Sequence, residues 1–150
     1  MNCSLSLRVF IALLSFCFVG TAECRGADKM LYAFAAHSSG PLEVAVDSAL
    51  VRPGLVRIYC RLLGRPHTSQ RIDGVSIRRN DSLMSEATDI DGVDFRRWFQ
   101  WEDNGVIPVE IDFAALTSLK QDQVMKFSTP RGLVEVTFRL TPRAPEPLKK

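Results

Sequence analysis

The 150-residue sequence is poor in the residue types that most often announce chemistry. It has only two histidines, His37 and His67, and neither has a second His or a Cys at the spacing a metal site needs. No Gly-x-Ser-x-Gly elbow is present, so the commonest hydrolase signature is missing. Neither charge sign dominates: 19 Lys and Arg face 17 Asp and Glu, a net charge of +2. That balance argues against nucleic acid as a partner, which calls for a strongly basic face. There is no apolar stretch of about 20 residues, the length a membrane-crossing helix requires.

One apolar run does stand out, from Val9 to Val19, preceded by Arg8 and followed by Gly20, Thr21 and Ala22. A basic residue, a short apolar core and a small-residue exit predict a secretory signal peptide over residues 1–22. Cleavage after Cys24 is the alternative. Cys17 follows Phe16 and Cys24 follows Glu23, which does not resemble a lipid-attachment site, so no stable membrane anchor is expected. The expected location is extracytoplasmic, either secreted or periplasmic. Cys3 and Cys17 would leave with the leader, and an oxidising compartment would favour a disulfide between Cys24 and Cys60.

Beyond the leader the dominant hydrophobic period is two. Leu42, Val44 and Val46 alternate with polar or small residues, as do Val56, Ile58, Cys60 and Leu62 with Arg57, Tyr59 and Arg61. Further alternating runs cover residues 70–79, 95–101, 107–113, 124–128 and 134–140. Asp103-Asn104-Gly105 lies between two of them and predicts a hairpin with a type I′ turn. Thr129-Pro130-Arg131-Gly132 predicts a second one. Asp112 is placed to cap a short helix over 114–121, with Leu116 and Leu119 as its apolar stripe. Asn80-Asp81-Ser82 fits a glycosylation acceptor. The expected architecture is one all-β domain over residues 23–140. It is an antiparallel β-sandwich of seven or eight strands, Ig-like or transthyretin-like, with a disordered tail over 141–150.

Several residues are candidates for a site. In the run 95–101, Phe95, Phe99 and Trp101 share one face, which leaves Trp98 outward with Arg96 and beside Arg97. An exposed Trp flanked by Arg has the composition of a protein-binding hot spot. Arg57, Tyr59 and Arg61 repeat the pattern on a second strand, and the two sets would form one Arg/aromatic sheet face if their strands were neighbours. Asp89, Asp91 and Asp94 offer oxygen ligands for a hard cation, although the spacing differs from an EF-hand loop. A His–Cys60 nucleophile pair is weak on the same evidence, since Cys60 falls on an apolar strand face where thiols are inert.

The sequence therefore predicts a binding protein without a catalytic centre or cofactor: an inhibitor, immunity protein or assembly subunit that recognises another extracytoplasmic protein. A homodimer is compatible with exposed sheet edges. A calcium-assisted or carbohydrate-binding module and a small secreted hydrolase are the alternatives. Leu116, Leu119, Met125-Lys126-Phe127 and residues 134–140 resemble the close of invasion-associated locus B-like periplasmic proteins, without the paired cysteines of that region. No residue role follows from the resemblance.

Overall fold

The computed structural model describes residues 26–144. The expected leader, Cys24 and the end of the tail lie outside them. The described chain is all β, in eleven strands: β1 Lys29–Ser39, β2 Glu43–Arg52, β3 Leu55–Leu63, β4 Ser69–Arg71, β5 Gly74–Arg78, β6 Met84–Glu86, β7 Asp89–Asp91, β8 Trp98–Gln100, β9 Val106–Phe113, β10 Asp122–Thr129 and β11 Gly132–Thr141. Every recorded strand pairing is antiparallel. Nine strands form one curled sheet in the order β6-β5-β10-β11-β1-β2-β3-β9-β7, and β4 and β8 form a separate two-stranded sheet.

The large sheet is built by period-two patterning. Val56, Ile58, Cys60 and Leu62 of β3 turn inward, as do Val109, Ile111 and Phe113 of β9 and Val134, Val136, Phe138 and Leu140 of β11. These side chains belong to one continuous core, with Phe113, Phe127 and Phe138 among its largest members. A sheet with one apolar face must cover that face, and here it does so by curling on itself. The curl is held by a single short segment. β6 pairs with β5 at one end of the sheet and β7 pairs with β9 at the other, with only Ala87 and Thr88 between them. The Ala87 amide donates to the Val75 carbonyl of β5 at 2.8 Å, and the Thr88 amide donates to the Asp112 carbonyl of β9 at 2.7 Å. The two ends of the sheet are thus two halves of one stretch of chain.

The β10–β11 hairpin forms as its turn residues require, with Thr129 opposite Gly132 and Gly132 at φ 130°. Two other expectations are corrected. The helix over 114–121 is absent; turn and irregular backbone take its place. Asp112 cannot cap it, because its carboxylate is held by Arg57 and its carbonyl by Thr88. A segment this short cannot offset the cost of helix nucleation, and Leu116 is buried from a turn instead. The expected Asn-Gly hairpin is also absent. Glu102 to Gly105 makes a turn closed at 3.0 Å, with positive φ at Gly105 but not at Asn104, so it is not type I′. The strand before it, β8, pairs with β4 instead of β9. Pro108, which has no N–H to donate, lies on β9 beyond the stretch that pairs with β7.

Trp101 couples the small sheet to the large one. It is 4% exposed, and Phe99 meets it edge-on at 5.2 Å. A Cβ added to Gly64 would come within 2.2–2.5 Å of three Trp101 ring carbons. Gly64→Ala is therefore expected to overpack this corner and lower the unfolding free energy by about 1–3 kcal/mol. Phe127→Ala, at a fully buried core position, should cost about 3–5 kcal/mol. Urea titrations of both variants against the parent chain check the two values and their order.

Candidate functional site

Arg57, Tyr59 and Arg61 project from the outer face of β3 because their neighbours along the strand fill the core. The strands on either side determine what they can do. Arg57 Nε and Nη2 donate to the two Asp112 carboxylate oxygens at 2.7 and 2.8 Å, and Nη1 donates to Glu110 at 2.8 Å. The Asp112 hydrogen bond raises the Arg57 pKa above its ordinary value and keeps it charged. Arg61 donates to both Asp47 oxygens, at 2.7 to 3.1 Å, and that hydrogen bond raises its pKa as well. Both arginines are thus engaged by carboxylates of β2 and β9. They are cross-strand ion pairs, with their planar forks already filled.

The other candidate set lies elsewhere. Trp98 is on β8, whose partner is β4, so Trp98 and Tyr59 do not share a sheet. The conditional single Arg/aromatic face therefore divides into two separate surfaces. Trp98 is 56% exposed. Directly across the ladder from it is Arg71, whose guanidinium carbon lies 5.4 Å from the indole ring centroid. Arg71 is held from its other side by Asp73, which accepts from Nε at 2.7 Å and from Nη2 at 3.2 Å. Two anchors on one guanidinium, a carboxylate and an aromatic ring, fix both the arginine and the indole in place.

Arg96 precedes β8 in the left-handed region, φ 62°, and its amide donates to the Ile72 carbonyl at 2.7 Å. That turn delivers the chain to β8 and leaves the Arg96 side chain exposed. Arg97 makes an open pair with Asp94 at 3.0 Å, of the kind worth little in water. Arg71 was missing from the residues expected in this site. Its partner strand could not be read while β8 was assigned to a hairpin with β9, and only the tertiary pairing reveals it.

The acidic and nucleophilic candidates separate too. Asp89 and Asp91 each accept the amide of the next residue, Ile90 and Gly92, while Asp94 turns to Arg97. No group of three or more His, Cys, Asp or Glu able to hold a metal occurs among the described residues. His67 Nε2 lies 3.0 Å from Asp103, both exposed. Cys60 is instead buried in the core, and burial pushes its thiol pKa well up. The residues that lead toward Cys24 run past the β2–β3 turn, where Gly26 lies against Pro53. The expected partner itself is outside the described residues.

Comparison with protein-family models, curated proteins and solved structures found no match. The resemblance of the last two strands to a periplasmic family gains no support from that search, and the site must be read from its own geometry.

Two outcomes follow from this chemistry. With reductant present, native chain treated with iodoacetamide should leave Cys60 unmodified, and the same treatment in guanidinium should label it, as peptide mass mapping will show. The thiol also links stability to pH. Its ordinary value is 9.0 and its folded value is higher. Above pH 9 the unfolded chain then binds fewer protons than the folded one, so stability falls as pH rises. In reductant, the parent chain should lose about 1.4 kcal/mol per pH unit above pH 9 relative to Cys60→Ala. Parallel slopes for the two proteins would refute the assignment.

Proposed function

We propose that this chain is a non-enzymatic β-sandwich-like binding domain that acts outside the cytoplasm and grips another protein through Trp98, Arg71, Arg96 and Arg97. The observation that carries the reading is the exposed Trp98 ring held against an arginine that Asp73 already fixes. A large, rigid, amphipathic side chain loses little conformational freedom on binding, which is why Trp and Arg dominate interface hot spots. Arg96, exposed and clear of the Asp73 and Asp94 pairs, favours a partner that sets a carboxylate beside an apolar knob. An inhibitor, an immunity protein and an assembly subunit are three forms of this one reading, and the apolar leader of residues 1–22 is the support for its location.

The test is a titration. Protein captured from the extracytoplasmic fraction on the immobilised chain is identified by mass spectrometry, purified and titrated by calorimetry. Trp98→Ala should weaken binding by about thirtyfold, the effect of losing a hot spot of about 2 kcal/mol. Arg96→Ala should weaken it less, and both variants should keep the circular dichroism and melting temperature of the parent. Unchanged affinity in both would sink the proposal.

A further inference from the structure

The outer face of the large sheet carries a second surface of different character, visible once the strand registers are followed across it. Met30 of β1 pairs with Leu50 of β2, Leu50 with Arg57, Arg57 with Asp112 and Asp112 with Asp89. In the next row, Tyr32 pairs with Ser48, Ser48 with Tyr59, Tyr59 with Glu110 and Glu110 with Asp91. Each row is apolar or aromatic at the β1 end and acidic at the β7 end.

The apolar end is open to solvent. Met30 is 38% exposed, and Phe34, beyond Tyr32 on the same face of β1, is 39% exposed. Leu31 points into the core between them. At the acidic end, the two rows hold four carboxylates, of Asp89, Asp91, Glu110 and Asp112, against the single guanidinium of Arg57. Asp47 and Arg61 beside them neutralise one another. The rows therefore carry a net charge of −3, with Arg57 shared by Asp112 and Glu110 and no ion pair at Asp89 or Asp91 among the described residues. A groove of about 420 Å³ opens at the acidic end, with Tyr59, Asp91, Pro108 and Glu110 in its walls beside the Asp47–Arg61 pair. Tyr59 and Glu110 belong to the same row, which reaches Tyr32 of β1 through Ser48.

We infer that this face binds an extended polypeptide segment in which an apolar block is followed by a cationic block, the apolar part on Met30, Tyr32, Phe34 and Leu50 and a Lys or Arg in the groove beside Asp91 and Glu110. Charge complementarity selects the occupant. Like charges directly opposite one another across β7 and β9 are mutually repulsive, and a bound cation relieves that repulsion. The surface is distinct from the Trp98 platform and does not rest on it.

The test uses three dye-labelled heptapeptides: Phe-Leu-Val-Gly-Lys-Lys-Lys, Ser-Ser-Ser-Gly-Lys-Lys-Lys and Phe-Leu-Val-Gly-Glu-Glu-Glu. Fluorescence anisotropy against the full chain is measured at low salt and in 0.3 M salt. The first peptide should bind at least tenfold more tightly than the other two. Phe34→Ser should weaken it at least fivefold. The double change Asp89→Asn with Asp91→Asn should weaken it and flatten its salt dependence. Trp98→Ala should leave it unchanged, which separates this result from failure of the Trp98 reading. All altered residues are exposed, and circular dichroism confirms that each variant folds.

Binding of the serine–lysine peptide within threefold of the first would mean unspecific charge attraction and would overturn the inference. So would the absence of saturable binding to the first peptide. A dimer in sedimentation velocity that Phe34→Ser dissolves would assign the face to a second copy of the chain and overturn the inference as well.

Discussion

Everything in this domain depends on how residues 84–91 hold the two ends of one sheet. A curled sheet with free ends would expose two unpaired ladders and part of its apolar face, a standing invitation to associate with other chains. Here one stretch hydrogen-bonds to β5 through β6, crosses at Ala87 and Thr88, and hydrogen-bonds to β9 through β7. The interaction is made mainly of backbone groups, with the Thr88 hydroxyl adding a bond to the Asp112 carbonyl at 3.1 Å, so the sequence pattern does not announce it. Its effect is to bring Asp89 and Asp91 opposite Asp112 and Glu110, and so to create the acidic end of the outer face. Taken along the chain alone, the same two residues offer only candidate oxygen ligands for a cation.

That contrast explains what could be read from the residues and what could not. Inward alternation was legible wherever a strand has one wet face, as at Val56 to Leu62 or Val134 to Leu140, because a one-residue slip would expose the whole apolar set. The outward position of Trp98 was legible for the same reason. Its neighbour Arg71 was not, since strand pairing is a long-range choice that local period does not encode. β6 and β7 are three residues each, too short for any period to register. On β1, Met30, Leu31, Tyr32, Ala33 and Phe34 are apolar on both faces, so alternation could not say that Leu31 is core and Phe34 surface. The arginines of β3 were seen, but not the carboxylates that fill them. Those sit on strands whose adjacency only the fold reveals.

The two surfaces have opposite electrostatic character and different construction. Around Trp98, one cation is immobilised between a ring and a carboxylate, and others project from a turn in a strained backbone conformation. Across β1 to β7, the ladder itself sets side chains in rows, so the change from apolar to acidic follows the strand order. The first arrangement gives a compact anchor; the second gives an extended track. The two surfaces share no residue, so ligands of unlike charge would not compete for the same atoms. The ion pairs of both surfaces are exposed or only part-buried, so their desolvation cost is smaller than that of charges held in a core.

One pairing has a consequence for how the domain comes into being. β1 lies between β2 and β11, and Tyr32 meets Thr141, a partner roughly a hundred residues later in the chain. The first strand to be synthesised thus waits for the last before its ladder is complete. Until then Met30, Leu31 and Phe34 present an apolar edge to whatever is near. The ladder of β1 therefore stays incomplete until β11 is made, and the apolar side chains of that strand are open to aggregation until then.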